Sequence, residues 1–280
     1  MELFSGLEKF NIGGLDNIME KGVFGQEKEK ENKLPEQKKE PTEKDYLFMK
    51  EYTCPVCDSK TKLPSMRGGK AKFSGADMDL RPKYEHIEPI KYDVVCCPFC
   101  GYTALTRFFP KTTSYERKFI KDTITPSFKP ASFIGSETYT DEEALSLYRL
   151  GLACSVVKKA HASEKAYMAL KAGWLIRSMI EKTDDEKRIS ELKETEKEFL
   201  SSAQEGFLIA RESETYPIVG MDEYTLDYLI SAISYEIGDI NISAKMTSDL
   251  LTSPKTPTRV KNKAIELKEL IQIEIKKAQK

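Results

Sequence analysis

Cys54-Pro55-Val56-Cys57 and Cys97-Pro98-Phe99-Cys100-Gly101 decide how this chain is read, and the two Cys-x-x-Cys pairs lie 39 residues apart. In each pair a tight turn brings two sulfurs to one side while backbone N–H groups point at them. Two such knuckles supply four thiolates, the closed tetrahedral set of a structural Zn²⁺ with Zn–S of about 2.3 Å. Gly101 follows the second pair, where the chain must turn away sharply. Asp58 holds the matching place after the first and tolerates the same left-handed backbone. The expected cofactor is one structural zinc ion per chain, held by Cys54, Cys57, Cys97 and Cys100, with iron as the alternative for a four-thiolate site.

A thioredoxin-like redox pair is the other reading of Cys-x-x-Cys, but neither copy sits between the strand and helix of a βαβ pattern. An intracellular chain also argues against disulfides. Cys96 adjoins Cys97, yet the repeated Cys-Pro-x-Cys frame selects Cys97 as ligand and leaves Cys96 to the core. Cys154 falls among Leu152, Val156 and Val157 and reads as a buried structural thiol. A closed set leaves no coordination position for a substrate, so no metal catalysis is expected.

Working outward, the charge is distributed unevenly. The 280 residues carry 44 Lys+Arg and 45 Asp+Glu, so the total predicts no polyanionic partner. Residues 1–45 hold 8 basic and 11 acidic side chains, residues 46–130 hold 15 and 9, and residues 131–280 hold 21 and 25. The basic middle contains every cysteine but Cys154. Between the knuckles Arg67, Lys70, Lys72, Arg81 and Lys83 alternate with Phe73 and Tyr84, which would suit phosphate contact and base stacking, or a solvated hairpin face. Asp77 and Asp79 offset part of that charge and are too few for a second cation site. Residues 90–96 alternate with period two and read as a strand.

From residue 140 onward the period changes to that of helices. Thr140-Asp141-Glu142-Glu143 reads as a capping box opening the first. Further helices are expected over residues 164–182, from about 185 through Ala210, over 221–237, over 240–251, and after Thr256 as N-cap with Pro257 at the first helical position. A short helix is expected near residues 115–121, and His161 is placed at a helix C-terminus. Helices joined by short connections favour stacked antiparallel hairpins.

At the other end, residues 1–25 carry Leu3, Leu7 and Phe10 at helical spacing, a short N-terminal apolar segment. Acids and glycines interrupt it before any leader-like apolar region forms. In residues 26–44, 12 of 19 side chains are charged, so residues 26–45 read as a disordered linker. The expected organisation continues with a zinc-ribbon domain over 46–110, a connecting segment over 111–139, and a helical domain over 140–280. No dinucleotide fingerprint, phosphate loop or nucleophile elbow occurs, and an enzyme is not expected.

These motifs carry a resemblance. The run from Cys54 to Ala104 resembles a bacterial family catalogued as domain of unknown function 2225. It rests on Cys54-Pro55-Val56-Cys57, Asp77-x-Asp79-x-x-Pro82-x-Tyr84, Pro89, Tyr92, and Val95-x-Cys97-Pro98-x-Cys100-Gly101-Tyr102-x-Ala104. Ala172-Gly173-Trp174-Leu175-Ile176-Arg177 resembles the family's Ala-Trp-Leu-x-Arg helix, with a glycine inserted or substituted before Trp174. Tyr228-Leu229-Ile230 through Ile237-Gly238-Asp239 resembles its later helix-turn. The resemblance implies an α+β chain: a small four-cysteine zinc-ribbon β domain followed by an all-α stack of tetratricopeptide-like antiparallel helical hairpins.

Stacked hairpins present a concave groove to a peptide or protein. The expected function is that of a non-enzymatic cytosolic zinc-binding adaptor or scaffold, which binds a protein or peptide partner through its helical domain and has no membrane association. Arg177, Tyr148 and Tyr228 are the candidate partner-binding residues; a half-buried arginine needs an anionic partner. A nucleic-acid-binding protein using the basic insert is the alternative.

Overall fold

In the computed structural model, which describes residues 41–278, each Cys-x-x-Cys pair forms the tip of a β-hairpin. Strands β1 (Leu47–Thr53) and β2 (Lys60–Met66) pair antiparallel from Leu47↔Met66 to Thr53↔Lys60, with Cys54–Cys57 in the turn. The short strands β5 (Val94–Cys96) and β6 (Thr103–Leu105) pair likewise around Cys97–Cys100. Between them, β3 (Phe73–Ala76) and β4 (Pro82–Tyr84) form a third hairpin, with a bulge between Phe73 and Gly75. The expected strand over residues 90–96 is shorter than its pattern: Pro89–Tyr92 is a 3-10 turn, for which Pro89 at the first position is preorganised, and only Val94–Cys96 is extended.

The helices follow their capping signals. Helix α1 (Ser114–Thr123) and α2 (Asp141–Val157) both open with capping boxes, Thr113 with Glu116 and Thr140 with Glu143. Helices α3 (Ala162–Ile180), α4 (Glu186–Ser213), α5 (Glu223–Ile237), α6 (Ile240–Thr252) and α7 (Thr258–Ala278) complete the fold. Asp185, Asp222 and Asp239 cap the starts of α4, α5 and α6 through their side chains. Gly238 ends α5 in the left-handed conformation at φ 89°. Two expectations at helix ends change. His161 is not at a helix C-terminus but precedes α3 at its N-terminus, because α2 stops at Val157. Thr256 does not cap α7; its buried hydroxyl has no hydrogen-bond partner, and the helix begins at Thr258.

Consecutive helices from α2 to α7 pack on one another in chain order, α3 against α4 most extensively. The close approach of α3 and α4 explains the glycine before Trp174: a Cβ on Gly173 would lie 2.9 Å from Leu200 Cδ2. The β region is not walled off from the helices. Tyr92, Val94 and Leu105 share one apolar core with Leu145, Tyr148, Leu170, Leu175, Phe207 and Ile233. Thr42–Lys280 accordingly forms one compact unit, in which the segment between hairpins and helices is packed rather than a free linker. Glu43–Tyr46, partly inside the expected linker, is a 3-10 turn whose Glu43 pairs with Lys91 Nζ at 2.6 Å. The N-terminal apolar segment and residues 26–40 of the linker lie outside the described residues. Among the described residues, no helix is long and apolar enough to cross a membrane.

Candidate functional site

The two knuckles are built alike. Asp58 N donates to Cys54 O at 2.9 Å and Gly101 N to Cys97 O at 3.0 Å. Cys54 N and Cys97 N each donate at 2.9 Å to the carbonyl that closes the turn, on Ser59 and Tyr102. Asp58 and Gly101 sit at the same left-handed position, with φ 59° and 78°. Gly101 has a second reason to be glycine, since a Cβ there would lie 2.5 Å from the Phe128 ring. Backbone N–H groups of Val56 and Cys57 point at the Cys54 sulfur, and those of Phe99 and Cys100 at the Cys97 sulfur.

These turns place all four sulfurs within 4.8 Å of one another. Cys54 Sγ lies 3.6 Å from Cys100 Sγ, and Cys57 Sγ 3.5 Å from Cys97 Sγ. A tetrahedron with metal–sulfur bonds of about 2.3 Å has sulfur–sulfur edges of about 3.8 Å, so the cluster has the dimensions of a four-thiolate metal site. Hydrogen bonds from Cys100 and Cys54 pull Cys97 far down, while hydrogen bonds to Cys54 and Cys97, with burial, push Cys100 far up. Four sulfurs at these separations could hold a metal ion between them.

The surroundings tie this cluster to the helices. Cys54, Val56, Val95, Cys97, Cys100 and Tyr102 form a small core with Phe109, Ile120 of α1 and Cys154 of α2. Cys154 Sγ reaches Gly101 O at 3.5 Å, and Thr125 Oγ1 donates to Cys100 O at 3.0 Å. Burial pushes the Cys96 thiol up to about 12 and Cys154 up to about 11. Both stay protonated, and neither belongs to the four-sulfur group.

Arg177, on α3, lies elsewhere, in a network of buried charge. Its Nε donates to Glu196 at 2.6 Å, its Nη1 lies 3.0 Å from Asp79, and its Nη2 donates to Glu236. Burial alone would lower its pKa; the Asp79, Glu236 and Glu196 carboxylates override that and hold it charged. Asp79 is fully buried and also accepts from Trp174 Nε1 at 2.6 Å. Arg81, only 1% exposed, donates to Asp77 at 2.6 Å, Glu181 at 2.5 Å and the Trp174 carbonyl at 3.3 Å. The β3–β4 hairpin is thereby fastened to α3, and through Arg177 it is linked to α4 and α5. Beside the network, Asp77, Met78, Arg177, Glu196, Leu200 and Glu236 line a cleft of about 630 Å³.

This corrects several sequence expectations. Tyr148 and Tyr228 line no open groove: both are buried, and their hydroxyls donate at 2.9 Å to Ile90 O and Met78 O. The basic insert is not a uniformly solvated face. Arg81 is interior, Lys83 pairs with Asp77 at 2.8 Å, Lys72 with Glu85 at 2.8 Å, and Arg67 donates to Leu47 O at 2.7 Å. Asp77 and Asp79 serve as counterions to arginines. Sequence reasoning passed over Glu196 and Glu236. Each had left a signal, a carboxylate on an apolar helical stripe: Glu196 lies midway between Leu192 and Leu200, and Glu236 three residues after Ile233.

The fold and the cysteines define an α+β protein with a four-cysteine cluster carried on two hairpin tips and backed by a helical array. The model of the family described as "Uncharacterized protein conserved in bacteria (DUF2225)" matches residues 47–271, and the chain belongs to that family. No curated protein and no solved structure matches the chain.

Proposed function

We propose that this chain is a non-enzymatic, cytosolic zinc-binding adaptor, whose cysteine cluster is a structural Zn²⁺ site and whose tetratricopeptide-like helices bind a protein or peptide partner. The observation that carries the reading is the pairing of a closed four-sulfur cluster with a separate cleft on the helical side at Arg177. Cys54, Cys57, Cys97 and Cys100 would hold the ion. Zinc is the commoner structural choice for four thiolates and supplies folding energy and no redox chemistry. The thiolates fill its coordination sphere, which favours a structural role. The burial of Arg81 and the pairing of Lys72 and Lys83 leave the basic insert poorly suited to a phosphate backbone, so a protein partner is favoured over a nucleic acid.

The test is affinity capture from a bacterial lysate with the full-length chain, with and without nuclease, beside a variant carrying Lys193→Ala and Lys197→Ala at the exposed rim of the cleft. A defined protein that survives nuclease and is lost with that variant supports the adaptor. Capture that vanishes on nuclease treatment replaces it with the nucleic-acid reading.

A further inference from the structure

The last two helices differ from the rest of the helical region in charge and in what they expose. Residues 131–239 carry 12 basic and 21 acidic side chains, whereas residues 240–278 carry 8 and 4. Among the described residues, the charged side chains of α6 and α7 make a single ion pair, Lys277 with Glu274. Helix α7 packs on α6 and α5 through Val260, Ala264, Leu267 and Ile271. A second stripe of the same helix stays in solvent: Ile265, Lys268, Gln272 and Ile275, at spacings of three and four. Between that stripe and α6 runs a groove of about 250 Å³, walled by Ala244, Leu251, Ile271 and Ile275. Lys268 is the one charged residue among those that line it, and no carboxylate does.

We propose that the α6–α7 groove is a docking surface separate from the Arg177 cleft, and that it receives an acidic amphipathic helix of a protein partner. Aliphatic side chains of that helix enter the groove against Leu251, Ile271 and Ile275. Its flanking carboxylates meet Lys268 and, two turns before it on α7, Lys261. Charge decides the sign of the partner. Eight cations against four carboxylates draw an acidic surface and repel the same face of a second copy. Shape decides for a helix over a lipid surface. The buried Ile271 and half-buried Leu251 are recessed between two helices, where a side chain projecting from a rod reaches and a flat headgroup layer does not.

The experiment follows the fluorescence anisotropy of a labelled peptide mixed with the full-length chain. The probe is a synthetic amphipathic helix of leucine, alanine and glutamate, about five turns long, beside the same peptide with lysine in place of glutamate. Saturable binding of the glutamate peptide alone is expected. Lys268→Glu should weaken it by about three- to tenfold, because an exposed attraction becomes an exposed repulsion. Ser248→Trp fills the groove from an exposed position on α6 and should abolish binding. Lys193→Ala with Lys197→Ala, at the Arg177 cleft, should leave it unchanged. Equal binding of the lysine peptide, no saturable binding, or full affinity in Ser248→Trp overturns the proposal. Self-association of the chain that is lost in Ser248→Trp assigns the groove to a second copy. Adsorption to phosphatidylglycerol vesicles that is lost in the same variant assigns it to a lipid surface, and either result overturns the peptide. The two readings fail separately. If lysate capture yields a partner lost with the Lys193→Ala and Lys197→Ala variant while the peptide is silent, the groove proposal falls and the adaptor stands.

Discussion

The cysteine cluster and the Arg177 network lie on one compact unit, yet different physics assembles them. The cysteines come from two local turns of matching hydrogen bonding, each carrying two sulfurs, and the two pairs meet across 40 and 46 residues of chain. The Arg177 network draws on β3–β4, α3, α4 and α5, and no two of its elements would meet without the fold. One site joins two short turns with local hydrogen-bond patterns; the other is long-range charge pairing that exists only when the helices have packed. The first should therefore govern whether the hairpins fold, and the second whether they stay docked on the helices.

The largest effect that would break this comparison is on the metal side. Cys97→Ser breaks the ligand set and strong chelation strips the ion it would hold; zinc binding to such sets is worth on the order of 10 kcal/mol in small peptides. Loss of ordered hairpins over residues 47–105 is expected, read as collapsed amide protection there. Because Cys154 and Thr125 touch the second knuckle, protection in α2 should fall as well. Full protection in the chelated protein would place the folding energy elsewhere.

Next comes the charge network. Arg177→Ala strands the fully buried Asp79, and breaking one side of a buried pair costs about 3–5 kcal/mol. The denaturant midpoint should fall accordingly while metal content is unchanged, and Arg177→Lys should recover only part of the loss because ammonium cannot span three carboxylates. A midpoint shift under about 1 kcal/mol would mean that the pair behaves as a surface one.

A smaller effect follows from Glu236. Its folded carboxyl sits at about 8 against an ordinary value of 4.5, so the folded state holds this proton more tightly than the unfolded chain does. The stability it contributes is complete below its unfolded pKa and is lost as pH rises through the folded one. Thermal stability of the wild type should thus decline between about pH 5 and pH 9 more steeply than that of Glu236→Gln, whose amide does not titrate. Parallel curves would show that Glu236 titrates normally.

The smallest expected change sharpens the assignment of ligands. Cys96→Ser and Cys154→Ser each put a hydroxyl in a buried thiol position, at a cost of about 1–3 kcal/mol, and neither should release metal. Metal loss in either would add that thiol to the site.

What was legible in the sequence follows the same division. The knuckles could be read because ligand spacing and the turn residues after Cys57 and Cys100 are local, and the helices because Thr140, Asp185 and Gly238 mark their ends locally. The strand over residues 90–96 was overread, since a period-two pattern cannot separate a strand from a 3-10 turn that buries Ile90 and Tyr92 as well. Tyr148, Tyr228 and Arg81 were misplaced because the surface they meet is contributed by residues 58, 150 and 93 positions away. Asp77 and Asp79 lie two apart in the chain, but the arginines and glutamates that complete their site converge only through tertiary packing.

The account stands most directly on metal content. Elemental analysis of the purified full-length chain, wild type beside Cys97→Ser, should find one zinc per wild-type chain and none in the variant. Wild-type protein prepared under reducing conditions without chelators and found to be metal-free, or a variant that keeps its zinc, would contradict it.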